Sequence, residues 1–134
     1  MNNQLEKLVG AWMCEIRGAN TKDKVNGAVL AFTSDGIVIT ERPPHPFETP
    51  AMGAWTATGP QTAAYTLMVL GGSEADVVLT KAKIVGTLQY DAAQDSWSGP
   101  YHFAITDMSG HIIETDTSTR TLEGTRITVE AMPK

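Results

Sequence analysis

Cys14 is the only cysteine in 134 residues, so no disulfide can form within the chain and the core alone must hold the fold. Positive charge is also scarce. Ten Lys and Arg against 15 Asp and Glu leave a net charge of −5, which argues against nucleic acid or an anionic membrane as partner. No apolar run approaches the roughly 20 residues that span a bilayer. The opening residues, Met1 to Lys7, lack the basic and apolar regions of a secretion signal. A cytoplasmic, reducing location is therefore the expectation. Signatures of chemistry are missing too. His45, His102 and His111 lie far apart, with no His-X-His or Cys pair, so no metal site is expected. There is no Gly-X-Ser-X-Gly elbow. Gly71-Gly72-Ser73 has neither the lysine nor the helix of a phosphate loop and reads as a hairpin turn. No cofactor is expected.

What remains is an ordinary globular composition, 42% apolar and 19% charged, read as a single domain over residues 1–134. Asn3 to Val9 can form a short helix with Leu5, Leu8 and Val9 on one side. Beyond it the chain is rich in Val, Ile, Thr and aromatics, cut by Gly-containing turns. Strands are predicted at 9–18, 27–34, 36–41, 52–58, 62–70, 77–90, 96–107, 110–121 and 125–131. Ser34-Asp35-Gly36, Asp91 to Asp95, Met108-Ser109-Gly110 and Leu122-Glu123-Gly124 supply hairpin punctuation. Short links favour antiparallel neighbours. Eight or nine such strands suit an all-β, up-and-down barrel, which leaves no exposed edge. A two-sheet sandwich is the rival.

Four of the seven prolines fall between Arg42 and Pro50. This stretch cannot pair inside a sheet, because proline supplies no amide donor. It reads either as a surface crossover or as a lid over a barrel mouth.

Strand alternation proposes an interior. If Trp12 points inward, so do Cys14 and Ile16. Leu30 and Phe32 share a face, as do Tyr65, Leu67 and Val69, and so do Trp97, Tyr101, Phe103 and Ile105. Ser98, His102 and Thr106 then face the other way. Cys14 reads as a small buried hydrophobe rather than a nucleophile. Glu114 and Asp116 share one face of 110–121, and Thr115, Thr117, Thr119 and Thr121 the other. Which of the two points inward stays open.

Gly10-Ala11-Trp12 follows the amphipathic N-terminal segment and opens the first strand. It resembles the Gly-X-Trp motif that begins lipocalins and other calycin barrels. Gly53-Ala54-Trp55, with Tyr65 in the next strand, is similar to small bacterial lipocalin-like domains. The resemblance implies that the Trp12 indole plugs one barrel end beneath a late basic residue, with Arg126 preferred over Arg120. It also implies a small, mostly hydrophobic ligand inside, contacted by Phe32, Phe47, Met52, Trp55, Leu67, Met68 and Phe103. Allene-oxide-cyclase-like barrels are similar in outline. They imply the alternative of a cofactor-independent cyclase or isomerase acting on a polyketide- or terpenoid-like intermediate, with Tyr65, Glu41, His102 and Tyr101 as its polar groups. A filled barrel serving as an interaction module is the third reading. Barrels of this size often self-associate, so a homodimer is carried as an open expectation.

Overall fold

The computed structural model describes residues 5–18, 25–41, 48–72, 79–116 and 119–133. Nine strands follow one another: β1 (Gly10–Gly18), β2 (Val25–Phe32), β3 (Ile37–Glu41), β4 (Ala51–Ala57), β5 (Thr62–Gly71), β6 (Thr80–Asp91), β7 (Ser96–Asp107), β8 (Ile112–Thr115) and β9 (Arg120–Arg126). Each of β1 to β7 pairs antiparallel with the next, and β9 lies between β7 and β1, closing an eight-strand barrel. β8 is the extra strand, paired with the far half of β7. Closure leaves no long free edge, as the expected barrel requires.

Period-two alternation decides which residues fill the barrel. Along β5, Ala63, Tyr65, Leu67 and Val69 are buried, while Met68 and Leu70 face out. Of the inward sets expected on β1, β2 and β7, Trp12, Cys14, Leu30, Phe32, Trp97 and Tyr101 are buried, and Ile16, Phe103 and Ile105 are half-buried.

Most strands lie within two or three residues of the sequence reading, and the largest differences are at the two ends of the chain. The N-terminal helix is a single 3-10 turn, Glu6–Leu8, closed by the Leu8 amide donating to the Leu5 carbonyl at 2.9 Å. The strand expected over 110–121 is β8 alone at its start, and the last strand is Arg120–Arg126 rather than 125–131. Leu122-Glu123-Gly124 is therefore no turn. It lies mid-strand, with Gly124 opposite Cys14 on one side and Trp97 on the other. The glycine is there for close approach: a Cβ would sit 2.4 Å from Cε2 of the Trp97 indole. β8 and β9 run along the same side of β7, in registers that differ by two residues.

One end of the barrel is sealed by aromatics. Trp12 is fully buried and meets Trp97 and Tyr90 edge-on at 6.1 and 6.4 Å between ring centroids. Phe32 meets Trp55, Trp97 and Tyr65 in the same way at 5.2 to 6.4 Å. The Trp12 Nε1–H donates to the Leu8 carbonyl at 2.9 Å, so the 3-10 turn is tied beneath the plug. Arg126 stacks its guanidinium 4.3 Å from the Trp12 ring centroid, as preferred. Its Nε donates to Asp95 Oδ2 at 2.7 Å, Nη1 to the Val9 carbonyl at 3.0 Å, and Nη2 to the Lys7 carbonyl. Tyr90 donates its hydroxyl to the other Asp95 oxygen at 2.7 Å. Asp95 reaches both because it adopts φ +50° in the β6–β7 hairpin, a conformation that Asp tolerates better than most residues.

Two outcomes are expected at this plug. Trp12→Ala should lower the unfolding free energy by about 3–5 kcal/mol in denaturant melts, the range for emptying a buried aromatic site; a loss below about 1 kcal/mol would mean that the indole is no plug. The hydrogen bonds from Arg126, then Tyr90, hold the Asp95 carboxyl below its usual range. Its stabilisation is therefore complete above the unfolded value of about 3.9 and is lost as pH falls through the lower folded value. Asp95→Asn should be less stable than the parent at neutral pH, with the gap closing below about pH 4; a gap that stays constant into acid would contradict this.

Candidate functional site

The opposite end is built from smaller residues. Ile16, Leu30, Leu67, Val69, Ile84 and Leu122, from five different strands, line a cavity with a free volume of about 60 Å³. A single water needs roughly 10–15 Å³ of such free volume, so there is room for several waters or the tip of a ligand. A second recess, about 300 Å³, adjoins it, sharing Ile84, Tyr101 and Glu48 with the cavity and adding Phe103, Glu114 and Arg120. That volume sits at the lower bound of ordinary small-molecule sites, roughly 300–1,000 Å³.

Two tyrosines stand in the cavity wall, and register brings them together. Tyr65 on β5 is opposite Gly86 on β6, Gly86 is opposite Tyr101 on β7, and Tyr101 is opposite Arg120 on β9. One cross-strand row thus carries two phenols and a guanidinium, interrupted only by a glycine. The glycine is required. A Cβ at position 86 would lie 2.4 Å from the Tyr65 hydroxyl oxygen, so the phenol ring occupies the space that a side chain would take.

The Tyr65 hydroxyl has no hydrogen-bond partner among the described residues, although the residue is only 3% exposed. Burial, helped by Tyr101 and Cys14, pushes its pKa above the ordinary tyrosine value. The group therefore stays protonated and acts as a donor. At the mouth, Arg120 stacks over Phe103 at 4.8 Å. Stacking leaves the in-plane N–H edge of the guanidinium able to donate. Arg120 is thus the other late cation that sequence reading weighed, and it covers a different ring. Cys14 is buried near the same wall, and burial pushes its thiol up to about 12. It is an inert hydrophobe at neutral pH, as expected.

The remaining candidates are scattered. Leu67, Tyr65 and Tyr101 line the cavity, and Phe103 lines the recess. Phe32 and Trp55 belong to the aromatic plug, where the Trp55 Nε1–H donates to the Thr33 carbonyl at 2.9 Å. Met52 and Met68 face away from the cavity. They are opposite one another on β4 and β5 and are 52% and 37% exposed, because alternation from the inward Ala51 and Leu67 turns them outward. Glu41 is exposed at the cavity rim. His102 also points outward, its Nδ1 2.9 Å from Asp116 Oδ2. Phe47 lies outside the described residues, as does the proline-rich segment as far as residue 47. Glu114 and Asp116 do not keep a common face, since Glu114 borders the recess while Asp116 binds outer His102.

Comparison with known proteins found no matching family model, no matching curated protein and no matching solved structure. Among the described residues, no group of three or more His, Cys, Asp or Glu could hold a metal ion, and no helix is long and apolar enough to cross a membrane. Sequence reading passed over Arg120 as a cavity residue. Its place in the Tyr65–Tyr101 row depends on the β7–β9 register, which the misread turn at 122–124 had hidden.

Proposed function

We propose that the barrel binds a small, mostly hydrophobic molecule bearing a hydrogen-bond-accepting oxygen. Its apolar end enters the cavity, its oxygen accepts from Tyr65, and its remainder lies in the recess beside Phe103 and Arg120. The observation that carries this reading is the buried, unpartnered Tyr65 hydroxyl in a wall that is otherwise mainly apolar. Leaving a buried donor unsatisfied costs about 1–3 kcal/mol, which a ligand oxygen recovers on binding. The Trp12–Arg126 stack supports reading the chain as a calycin-type barrel, and the lone, inert Cys14 suits a reducing cytoplasm.

The row of Tyr65, Tyr101 and Arg120 favours one second reading, the cofactor-independent cyclase or isomerase. A protonated phenol aimed at a carbonyl oxygen would stabilise negative charge developing there, in a site that excludes water. Binding ranks first because it requires only the hydroxyl and the cavity. Catalysis also requires a base placed at the substrate.

The test pairs two hydrophobic fluorescent probes of similar shape, one carrying a carbonyl and one lacking it. Saturable binding of the carbonyl probe, weakened about tenfold by Tyr65→Phe, with the carbonyl-free probe unaffected, is the expected outcome. Equal affinity of both probes for parent and variant would leave the hydroxyl with an ordered water as its partner and overturn the proposal.

A further inference from the structure

The outer face of β3 to β6 is as distinctive as the interior. Ile37, Ile39, Met52, Met68, Leu70 and Val85 are large, apolar and 37–52% exposed. They are contiguous. Ile39, Met52, Met68 and Lys83 form one cross-strand row, and Ile37, Ala54, Thr66 and Val85 form the next. An exposed apolar patch of this continuity marks a contact surface more often than it marks bare solvent-facing sheet.

Charges flank the patch unevenly. Glu41 ends β3 two residues beyond Ile39, and on the opposite flank Lys81 and Lys83 alternate along β6. None of the three enters an ion pair among the described residues. One flank is therefore anionic and the other cationic, with thioethers between them.

We propose that this face binds a second copy of the chain. A two-fold axis parallel to the strands, running between β4 and β5, maps each flank of the face onto the other. It sets Met52 against the partner's Met68 and Met68 against the partner's Met52. It also brings Glu41 to the partner's Lys81, twice over. An isologous contact demands such a surface, in which what one flank offers the other flank accepts. A two-fold axis perpendicular to the strands would instead bring Glu41 towards the partner's Glu41. The barrel curves away on both sides of the axis. The adaptable methionines thus occupy the centre, and the long Glu and Lys side chains span the wider gap at the rim. An anionic lipid surface fits poorly, since a chain of net charge −5 is repelled by it. Between two copies that long-range repulsion is screened within roughly 8 Å at physiological salt, while direct contacts persist. The assembly does not depend on the ligand proposed above.

Sedimentation equilibrium of the full chain, across micromolar to submillimolar concentrations, tests the proposal. The expected result is a reversible dimer. Met68→Lys and Glu41→Lys should each weaken it about tenfold or more, with unchanged circular dichroism, and Lys81→Glu should do the same. The double reversal Glu41→Lys with Lys81→Glu should regain affinity, a result that no merely structural damage would give. A chain that stays monomeric throughout overturns the proposal. So does a dimer indifferent to both Met68→Lys and Glu41→Lys, or a double reversal as weak as the single ones.

Discussion

The guanidinium of Arg126 lies over the buried Trp12 indole, and the two residues stand opposite one another on the last and first strands of the barrel. Much else depends on this contact. It holds β9 to β1 in the register that closes the sheet, and a slip of β9 by one residue would turn Arg126 away from the indole. Through Asp95 it reaches the β6–β7 hairpin, and through the Val9 and Lys7 carbonyls it reaches the N-terminal turn. A stacked, partly desolvated cation–π pair contributes ~1–2 kcal/mol. The larger stabilisation comes from the aromatic area packed beneath it.

Sealing one end with rings divides the interior. Trp12, Phe32, Tyr90 and Trp97 fill the barrel on the plugged side, and Gly124 yields its side-chain space to Trp97. Towards the other rim, apart from Tyr65 and Tyr101, the inward residues are mainly Ile, Leu, Val and Ala, and a cavity is left. Gly86 has the same purpose there that Gly124 has at the plug. Each omits a Cβ so that a ring from a neighbouring strand lies across it. At Gly86 that ring ends in a hydroxyl, and a polar atom is thereby delivered into an apolar wall. The asymmetry of the barrel and the character of its proposed site have a common origin in where the bulky rings fall.

The alternation of large and small residues along β1, β5 and β7 was readable from sequence, because a period of two leaves one choice per strand and Trp12 anchored it. Arg126 was readable as the cover of Trp12 because the last strand of a closed barrel must meet the first. The Tyr65–Tyr101–Arg120 row was not. It depends on register between strands distant in sequence, and no local pattern encodes that. Gly124 misled because a glycine in a strand looks like a glycine in a turn until the ring above it is known. Met52 and Met68 misled for the opposite reason. Their chemistry suited a binding pocket, but each follows an inward residue, Ala51 on β4 and Leu67 on β5, so alternation turns both outward, where they give the outer face its character.

The central claim is that the interior is open at one end and filled at the other. Methyl and indole NMR spectra under xenon pressure test it directly, since xenon enters dry apolar cavities without needing a specific ligand. The expected result is saturable shifts at Leu30, Leu67, Val69, Ile84 and Leu122, with the Trp12 and Trp97 indole resonances unmoved. Shifts centred on the two indoles, or none at the five aliphatic residues, would contradict the account.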